Sequence, residues 1–301
     1  EMKDKLSRNF DGLVWATLIA AVVAVVMGGI VRVTDSGLGC PDWPLCYGQI
    51  IPPWELSAWI EYTHRLSASL VGIFTLTMTL SGIAKYGWGS GVLKLVLIVL
   101  ILVLVQGAFG AFTVLSEISP DVALVHTGIA MAIIGVLSVL ISFRTSILSP
   151  DSEKDSCKEI DNLKWKVVLL SVLSYLVILS GAYVTRTGAS LSCSGIVLCG
   201  TSIAEMGHLH WVHMFHRLLV ALLFIWTIRV IMKIASTQVW SLLSTLGYFV
   251  VLLLAIQVML GIGNVIFELP AELRVLHLTF ASWFFAVSVY LTGRIWNYRT
   301  H

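Results

Sequence analysis

Charged residues are scarce in this chain. Only 12% of its 301 residues are Asp, Glu, Lys or Arg, whereas 57% are hydrophobic. Soluble domains carry roughly 25% charged residues, so the composition excludes an ordinary soluble protein and predicts an integral membrane protein. The net charge of +2 is too small to indicate a nucleic-acid partner, and we expect none.

Segments of alternating polar and apolar residues, which a transmembrane β-barrel requires, are also missing. Eight continuous apolar runs are present instead, and each is long enough to cross a hydrocarbon core of about 30 Å as a helix. They cover 13–33, 59–84, 92–113, 121–143, 165–186, 209–233, 240–266 and 273–294. The sequence therefore predicts an all-α membrane protein with eight transmembrane helices in the lipid bilayer.

Basic residues are sparse on one side of these predicted helices. With eight spans both termini lie on the same side, and five of the 19 Lys and Arg residues fall on the other: Arg32, Arg65, Arg186, Arg217 and Arg274. The positive-inside rule thus predicts cytoplasmic termini and a multi-pass protein of the cytoplasmic (inner) membrane. We expect no cleavable signal peptide, because the first apolar run is long enough to span.

Polar connectors are equally few, and the clearest one runs from Ser146 to Lys164 on the predicted cytoplasmic side. Its composition is typical of a flexible linker. It divides the chain near the middle into an amino-terminal part, residues 1–145, and a carboxy-terminal part, residues 165–301, with the linker over 146–164.

The chain has five cysteines, and four of them form two closely spaced pairs in predicted outer loops: Cys40 with Cys46, and Cys193 with Cys199. An oxidising outer compartment favours two loop-closing disulfides. A metal site, a redox-active dithiol and four free thiols are the alternatives; the spacing exceeds that of a CxxC motif, and no histidine is near enough to suggest zinc. Cys157 in the linker is predicted to be a free thiol.

The duplicated cysteine loop belongs to a longer internal repeat. The two cysteine pairs are offset by 153 residues, His64 and Arg65 recur 152 residues later, and three further residues recur after 151: Gln106 as Gln257, Gly110 as Gly261, and His126 as His277. Each copy holds four predicted helices, an even number, so both copies have the same orientation in the membrane. The prediction is two tandem four-helix bundles related by a pseudo-twofold axis along the membrane normal.

Histidine is costly inside a membrane helix and usually marks a site. His64 and His126 lie about five residues into predicted helices that enter from outside, or some 8 Å deep, and His216 and His277 repeat this in the second copy. Two imidazoles at one depth in a bundle are suited to the axial ligation of a haem iron. Hydrogen bonds from structural histidines to helix carbonyls are the alternative.

Other residues near these histidines allow two readings each. Arg65 and Arg217 could pair with haem propionates or act as snorkelling anchors. Several glycines could approach a flat macrocycle or allow tight helix packing: Gly28, Gly29, Gly107, Gly110, Gly181, Gly261 and Gly263. His208, His210 and His301 lie near a helix end or at the terminus and are predicted to be solvated, although His208 and His210 could contact a metal.

The two copies differ at one position beside the histidines. The first reads EYTHR, Glu61 to Arg65, whereas the second reads HMFHR, His213 to Arg217. Residues at i and i+3 share a helix face, so Glu61 is expected to face the same cavity as His64. This asymmetry indicates one site where a reaction takes place and one site that supports it. The structural alternative is that Glu61 caps the helix or pairs with Arg65.

These motifs together resemble the haem A synthase family over essentially the whole chain. The resemblance rests on GGIVRVTDSGLGCPDWPLC, EYTHR and LVH in the first copy, and on GAYVTRTGASLSC, HMFHR and VLH in the second. It implies oxidation of the C8 methyl group of haem O to a formyl group, giving haem A for terminal oxidases. It also implies an enzyme with a haem b (iron) cofactor, and the paired outer cysteines of the family match those found here.

Residue roles follow from the same resemblance. His64 and His126, with Arg65, would bind the substrate haem, and Glu61 would be the essential carboxylate. His216 and His277, with Arg217, would hold haem b. A haem O synthase and a membrane electron donor or acceptor would be partners. A dihaem cytochrome b for electron transfer and a haem transporter or chaperone remain alternative functions.

Overall fold

The computed structural model describes residues 9–117, 119–144, 155–196, 198–200, 202–236 and 241–297. Within these ranges the chain forms eight long helices, each long and apolar enough to span a membrane. They are α1 Phe10–Val33, α2 Leu56–Tyr86, α3 Gly91–Leu115, α4 Pro120–Arg144, α5 Asp155–Arg186, α6 His208–Ser236, α7 Ser241–Ile266 and α8 Ala271–Trp296. The predicted all-α membrane protein with eight helices is confirmed.

Seven of the helices follow their predicted apolar runs to within a few residues, but α5 begins earlier than expected. It starts at Asp155, so residues 155–164 are helical, where the composition predicted a flexible linker. This stretch contains no Gly or Pro that would break a helix, and Lys164 forms an i,i+3 ion pair of 2.7 Å with Asp161. Residues 146–154 lie outside the described ranges.

The chain divides into two compact units, Glu1–Arg144 and Thr145–His301. In unit 1, α1 packs on α2, α2 on α3, α3 on α4, and α4 back on α1. In unit 2, α5 to α8 form the same closed ring. Each unit is therefore a four-helix bundle in which α2 and α4, or α6 and α8, occupy diagonal corners. The pseudo-twofold axis between the units stays a prediction.

The apolar core of each bundle lies away from the cysteine loops. In unit 1 its fully buried side chains include Phe10, Met78, Val96 and Leu137, which come from the ends of the helices opposite to those loops. The core of unit 2 includes Val167, Leu170, Val230, Leu253 and Leu291 at the corresponding ends. The end of each bundle that carries the cysteine loop is here called the loop end. The apolar core is closely packed at the opposite end, and the polar side chains of the predicted sites lie toward the loop end.

Candidate functional site

The loop end of each bundle is closed by a disulfide-linked loop. Cys40 and Cys46 are bonded, with their Cα atoms 4.6 Å apart, and Cys193 and Cys199 are bonded with a Cα separation of 4.3 Å. The predicted disulfides are confirmed, and no cluster of His, Cys, Asp or Glu suited to a bare metal ion occurs in the described part of the chain. The side chain of Cys157 lies outside the described residues.

Arg65, on α2, binds the first disulfide loop from the side of the helix bundle. Its guanidinium donates hydrogen bonds to the carbonyl oxygens of Cys40 at 2.9 Å, Asp42 at 2.7 Å and Leu45 at 2.8 Å. Its Nε donates to Oε1 of Glu61 at 2.9 Å. One side chain thus fixes the loop over the bundle and also holds the buried carboxylate.

Arg217 binds the second loop in the same way, since it donates to the carbonyl oxygens of Cys193, Gly195 and Leu198. Neither sequence interpretation of these arginines anticipated a contact with the loop. A signal was present, since each arginine follows a candidate ligand and recurs in register with the cysteines, but only folding shows which carbonyls it reaches. The predicted contacts with haem propionates stay predictions.

Each candidate ligand is packed against a glycine of a neighbouring helix. A Cβ atom placed on Gly28 would lie 3.1 Å from Cε1 of His64, and the equivalent distances are 3.6 Å for Gly110 and His126, 3.0 Å for Gly181 and His216, and 3.2 Å for Gly261 and His277. Any larger residue at three of these positions would push the imidazole away. Of the two readings of the glycines, these contacts show close packing against the histidines.

The four histidines come from diagonal corners of their bundles, α2 and α4 in unit 1 and α6 and α8 in unit 2. Diagonal helices face each other across the bundle interior, and the pairings of His64 with His126 and of His216 with His277 stay predictions.

A glutamine contacts the second histidine of each pair. The side-chain amide nitrogen of Gln106 lies 3.2 Å from Nε2 of His126, and that of Gln257 lies 3.2 Å from Nε2 of His277. An amide nitrogen can only donate, so Nε2 of both histidines is the acceptor. Each imidazole then carries its proton on Nδ1, and its Nε2 lone pair is occupied by the glutamine N–H, so this contact has to be released before Nε2 can bind an iron.

The first histidine of each pair is held differently in the two units. Nδ1 of His216 lies 2.7 Å from the Ser180 hydroxyl, whose own hydrogen is donated to the Val177 carbonyl at 2.8 Å. With its hydrogen on the Val177 carbonyl, the hydroxyl oxygen can accept the Nδ1 proton, and Nε2 is then unprotonated. Ser180 is replaced by Met27 in unit 1, and Nδ1 of His64 is buried without a hydrogen bond of good geometry.

Glu61 is buried, with 5% of its surface exposed, and it lies one helical turn from His64. Its ion pair with Arg65 shows the structural role that the sequence offered as the alternative to a reactive one. The two roles are compatible, because a buried carboxylate needs a partner to remain charged. His213 occupies the corresponding place in unit 2 and is also 5% exposed.

Asp42 stabilises the first loop from within. Its carboxylate oxygens accept the backbone N–H groups of Tyr47 at 2.6 Å and Gly48 at 2.7 Å. The hydrogen bond from Gly48 is the main cause that holds the pKa of Asp42 below its usual value, against an opposing effect of desolvation. The repeat places Gly195 at this position in the second loop.

The remaining predicted histidines lie apart from these pairs. His208 begins α6 and is exposed, while His210 is half-buried and accepts a hydrogen bond from the backbone N–H of Gly207 at 3.1 Å. Both positions fit the solvated role predicted for them. His301 lies outside the described residues.

A family model and several known proteins are similar to this chain over most of its length. A family model described as cytochrome oxidase assembly protein, COX15-CtaA, matches residues 11–57 and 54–289. A heme A synthase of Bacillus licheniformis is 28% identical over 98% of both chains. A heme A synthase of Geobacillus thermodenitrificans is 30% identical over 95% of this chain and 91% of its own. A third, from Exiguobacterium sibiricum, is 31% identical over 76% of this chain and 75% of its own.

Proposed function

The chain belongs to the haem A synthase family of cytochrome oxidase assembly proteins, and on that premise we propose that it oxidises the C8 methyl group of haem O to a formyl group, producing haem A for terminal oxidases. The substrate haem binds in unit 1 between His64 and His126. Haem b binds in unit 2 between His216 and His277 as the resident redox cofactor.

The observation that carries this proposal is the difference between two otherwise matched sites. Both bundles contain a diagonal pair of histidines packed against glycines, but the buried carboxylate Glu61 occurs in unit 1 and is replaced by His213 in unit 2. A protein that needed only two electron-carrying haems would have no use for a buried acid at one of them. A proton-transferring group at one site is expected for chemistry on the substrate haem.

The residues of unit 2 fit a permanently bound haem b. Gly181 and Gly261 leave room for the imidazoles against the helix backbone. The contacts of Ser180 and Gln257 fit a proton on Nδ1 of His216 and His277, and Gln257 would give up its hydrogen bond to Nε2 when iron binds. Iron ligation by two neutral imidazoles requires this protonation state. When bound, the haem supplies one-electron redox chemistry that side chains lack.

Glu61 is proposed to accept the protons released from the substrate. Conversion of a methyl group to an alcohol and then to an aldehyde is two successive two-electron oxidations. With water as the source of the oxygen atom, four electrons pass to the membrane acceptor and four protons are released. The carboxylate lies one turn from His64, and its ion pair with Arg65 fixes it in place. Arg65 and the closed loop also limit the access of water to the reacting carbon.

Arg65 and Arg217 are also proposed to face the propionate side of the two haems, since both lie at the loop end one residue after a proposed ligand. In the structure, four of the five N–H groups of Arg65 are used by Glu61 and the loop carbonyls. A propionate contact would therefore use the remaining N–H or replace a loop carbonyl.

Location and partners follow from the same proposal. The protein is a multi-pass membrane protein with eight apolar helices, and we place it in the cytoplasmic membrane with both termini on the cytoplasmic side. A haem O synthase would deliver the substrate. A membrane electron donor or acceptor would exchange electrons with haem b, and no nucleic acid takes part.

The deciding experiment measures the mass of haem extracted after membranes containing this protein are supplied with haem O. Conversion adds one oxygen atom and removes two hydrogen atoms, so haem A is resolved from haem O by chromatography and mass spectrometry. Membranes without the protein are the control. Unchanged haem O, in protein that retains a low-spin haem b, would favour the dihaem electron carrier instead.

A further inference from the structure

A groove of about 370 Å³ follows the contact between α1 and α2 on the outer surface of unit 1. Seven residues line it: Ala16, Ile19, Ala20, Val23, Ser67, Leu70 and Phe74. The single polar side chain among them, Ser67, uses its hydroxyl to bond the backbone carbonyl of His64 at 2.7 Å. The groove therefore presents an apolar wall.

This groove begins beside the proposed substrate site. Ser67 lies one helical turn beyond His64 on α2. On α1 the lining residues come before Gly28, which contacts the His64 ring. Val23 and Ala16 lie five and twelve residues before Gly28, or about 8 Å and 18 Å along the helix. The groove thus runs from the level of Ser67, one turn from the proposed ligand, along α1 and α2 away from the loop end.

The repeat shows that unit 2 has larger side chains at the same positions. Ala16, Ala20 and Ser67 correspond to Leu169, Leu173 and Leu219, and Phe74 corresponds to Trp226. Leu173 and Trp226 pack against the core of unit 2. The Trp226 indole donates a hydrogen bond of 3.0 Å to the Lys166 carbonyl on α5 and so joins the two helices. A groove found in unit 2 lies elsewhere, between α6 and α7.

We infer that the groove between α1 and α2 holds the isoprenoid tail of the substrate haem. The inference rests on the proposed function, since haem O differs from haem b in carrying a farnesyl-derived tail. A bundle that holds the tailed haem needs an apolar channel leading away from the ligand, whereas a bundle that holds haem b can fill that space. Small side chains in unit 1 and leucines in unit 2 meet these two requirements.

Shape accounts for the selectivity of such a groove, because lipid chains are as apolar as the tail. In a bilayer the tail gains little from leaving the lipid, and the useful energy is van der Waals contact with a surface of matching form. Ile19, Val23 and Leu70 are 60%, 47% and 43% exposed, so they can contact a chain laid along the groove. A lipid acyl chain is the competing occupant, and it would not depend on which haem is bound.

The test compares haem O with mesohaem, a tailless haem that chromatography separates from resident haem b. Holoprotein in nanodiscs is incubated with equal amounts of both, and the haem retained beyond the resident haem b is quantified. Ala20→Leu, which copies the residue of unit 2, is expected to lower the ratio of retained haem O to mesohaem by about tenfold, a typical effect of small shape changes in an apolar pocket. Ala108→Leu, at an exposed position of α3, is the matched control and is expected to leave the ratio unchanged.

Ala16→Leu provides a second variant at the far end of the groove, with a smaller decrease expected. Retention of haem b in unit 2 shows that each variant is folded. An unchanged ratio in both folded variants would overturn the inference and assign the groove to lipid. Conversion of haem O by the wild-type protein is measured separately, so its absence would contradict the proposed function while leaving the retention ratio to judge the groove.

Discussion

In unit 2, the imidazole of His216 has His213 one turn away, and its Nδ1 contacts the hydroxyl of Ser180. In unit 1, the carboxylate of Glu61 lies one turn from His64, and Met27 occupies the position that corresponds to Ser180. The helix ring, the glycine contacts, the disulfide loop and the arginine below it are shared. Within the sites, the copies differ in the groups that contact or flank the first histidine.

This comparison separates the requirements of holding a haem from those of changing one. A resident cofactor benefits from a ligand whose ring is fixed, and Ser180 fixes His216. A substrate has to enter and leave, and there an open groove is an advantage. The carboxylate of Glu61 occurs in the unit where we propose that the substrate reacts. The internal repeat thus gives both units the same scaffold, and a few residue differences distinguish the two sites.

The largest effect is expected from removing a ligand in unit 2. His216→Ala or His277→Ala should abolish the low-spin b-type absorbance of the purified protein, because one of the two side chains that would hold the haem iron is lost. His208→Ala, at an exposed position on the same helix as His216, should keep it. Undiminished absorbance in both ligand variants would remove haem b from unit 2 and erase the proposed division of roles.

Glu61→Gln should lower haem A formation by about 100-fold or more, the usual contribution of a general acid or base. Glutamine keeps the size of the side chain and a hydrogen-bonding oxygen for Arg65, but it cannot take up a proton. The matched change His213→Gln in unit 2 is expected to retain activity. Normal haem A formation by Glu61→Gln, with haem b bound, would leave the ion pair as the function of this residue.

Ser180→Ala is expected to weaken retention of haem b by about 10-fold to 100-fold, the range seen when a hydrogen-bond partner of a metal ligand is removed. It should also shift the midpoint potential of the haem. Ser174→Ala on the same helix is the control, since that buried hydroxyl bonds only the Leu170 carbonyl at 2.7 Å in the structure. Transfer of haem to apomyoglobin measures retention. Equal rates for the two variants would show that the contact with His216 has no such role.

Gly181→Ala and Gly110→Ala test the glycine contacts with the same added methyl group. The added Cβ would lie 3.0 Å from the ring of His216 but 3.6 Å from that of His126, which is ordinary contact. Overpacking at Gly181 is expected to cost about 1 kcal/mol and to broaden the haem b spectrum, whereas Gly110→Ala should be tolerated. Thermal unfolding followed at the haem absorbance compares the two, and equal losses would contradict the difference in packing.

The smallest effect distinguishes the two loops by their response to acid. The folded-state pKa of Asp42 is lowered, chiefly by its hydrogen bond from the Gly48 amide. Its contribution is therefore present above the ordinary pKa of an aspartate and is lost as pH falls through the lowered value. Hydrogen exchange at Tyr47 and Gly48 should lose protection in that acid range. The second loop, with Gly195 at this position, should show no matching change, and neither should Asp42→Asn.

Much of the fold could be predicted from hydrophobicity, because continuous apolar runs of about 20 residues have few stable structures in a bilayer other than helices. The start of α5 could not, since Asp155 and the charged residues after it suit a solvated helix and a linker equally well. The disulfides followed from spacing and compartment, and the structure confirms them.

The finer features of the sites depend on contacts between helices. The sequence indicated which glycines and histidines matter, but it could not show that Gly28 meets His64 and that Gly181 meets His216. Ser180 went unnoticed because a serine in an apolar helix usually bonds its own backbone, and Ser180 does so while also contacting the ring. The larger residues at the corresponding positions of α5 and α6 can be interpreted only by comparison with the groove in unit 1.

Arg65 gives the first unit an interlock. Its guanidinium joins three loop carbonyls and one carboxylate oxygen, so the loop cannot lift without leaving Glu61 as the main partner of a fully charged side chain. Opening of the loop for a bulky guest would therefore remove three of the four hydrogen bonds that orient Arg65, and closure would restore them and fix the position of the Arg65–Glu61 pair again. The proposed proton acceptor is therefore held in a fixed position only while the loop is closed.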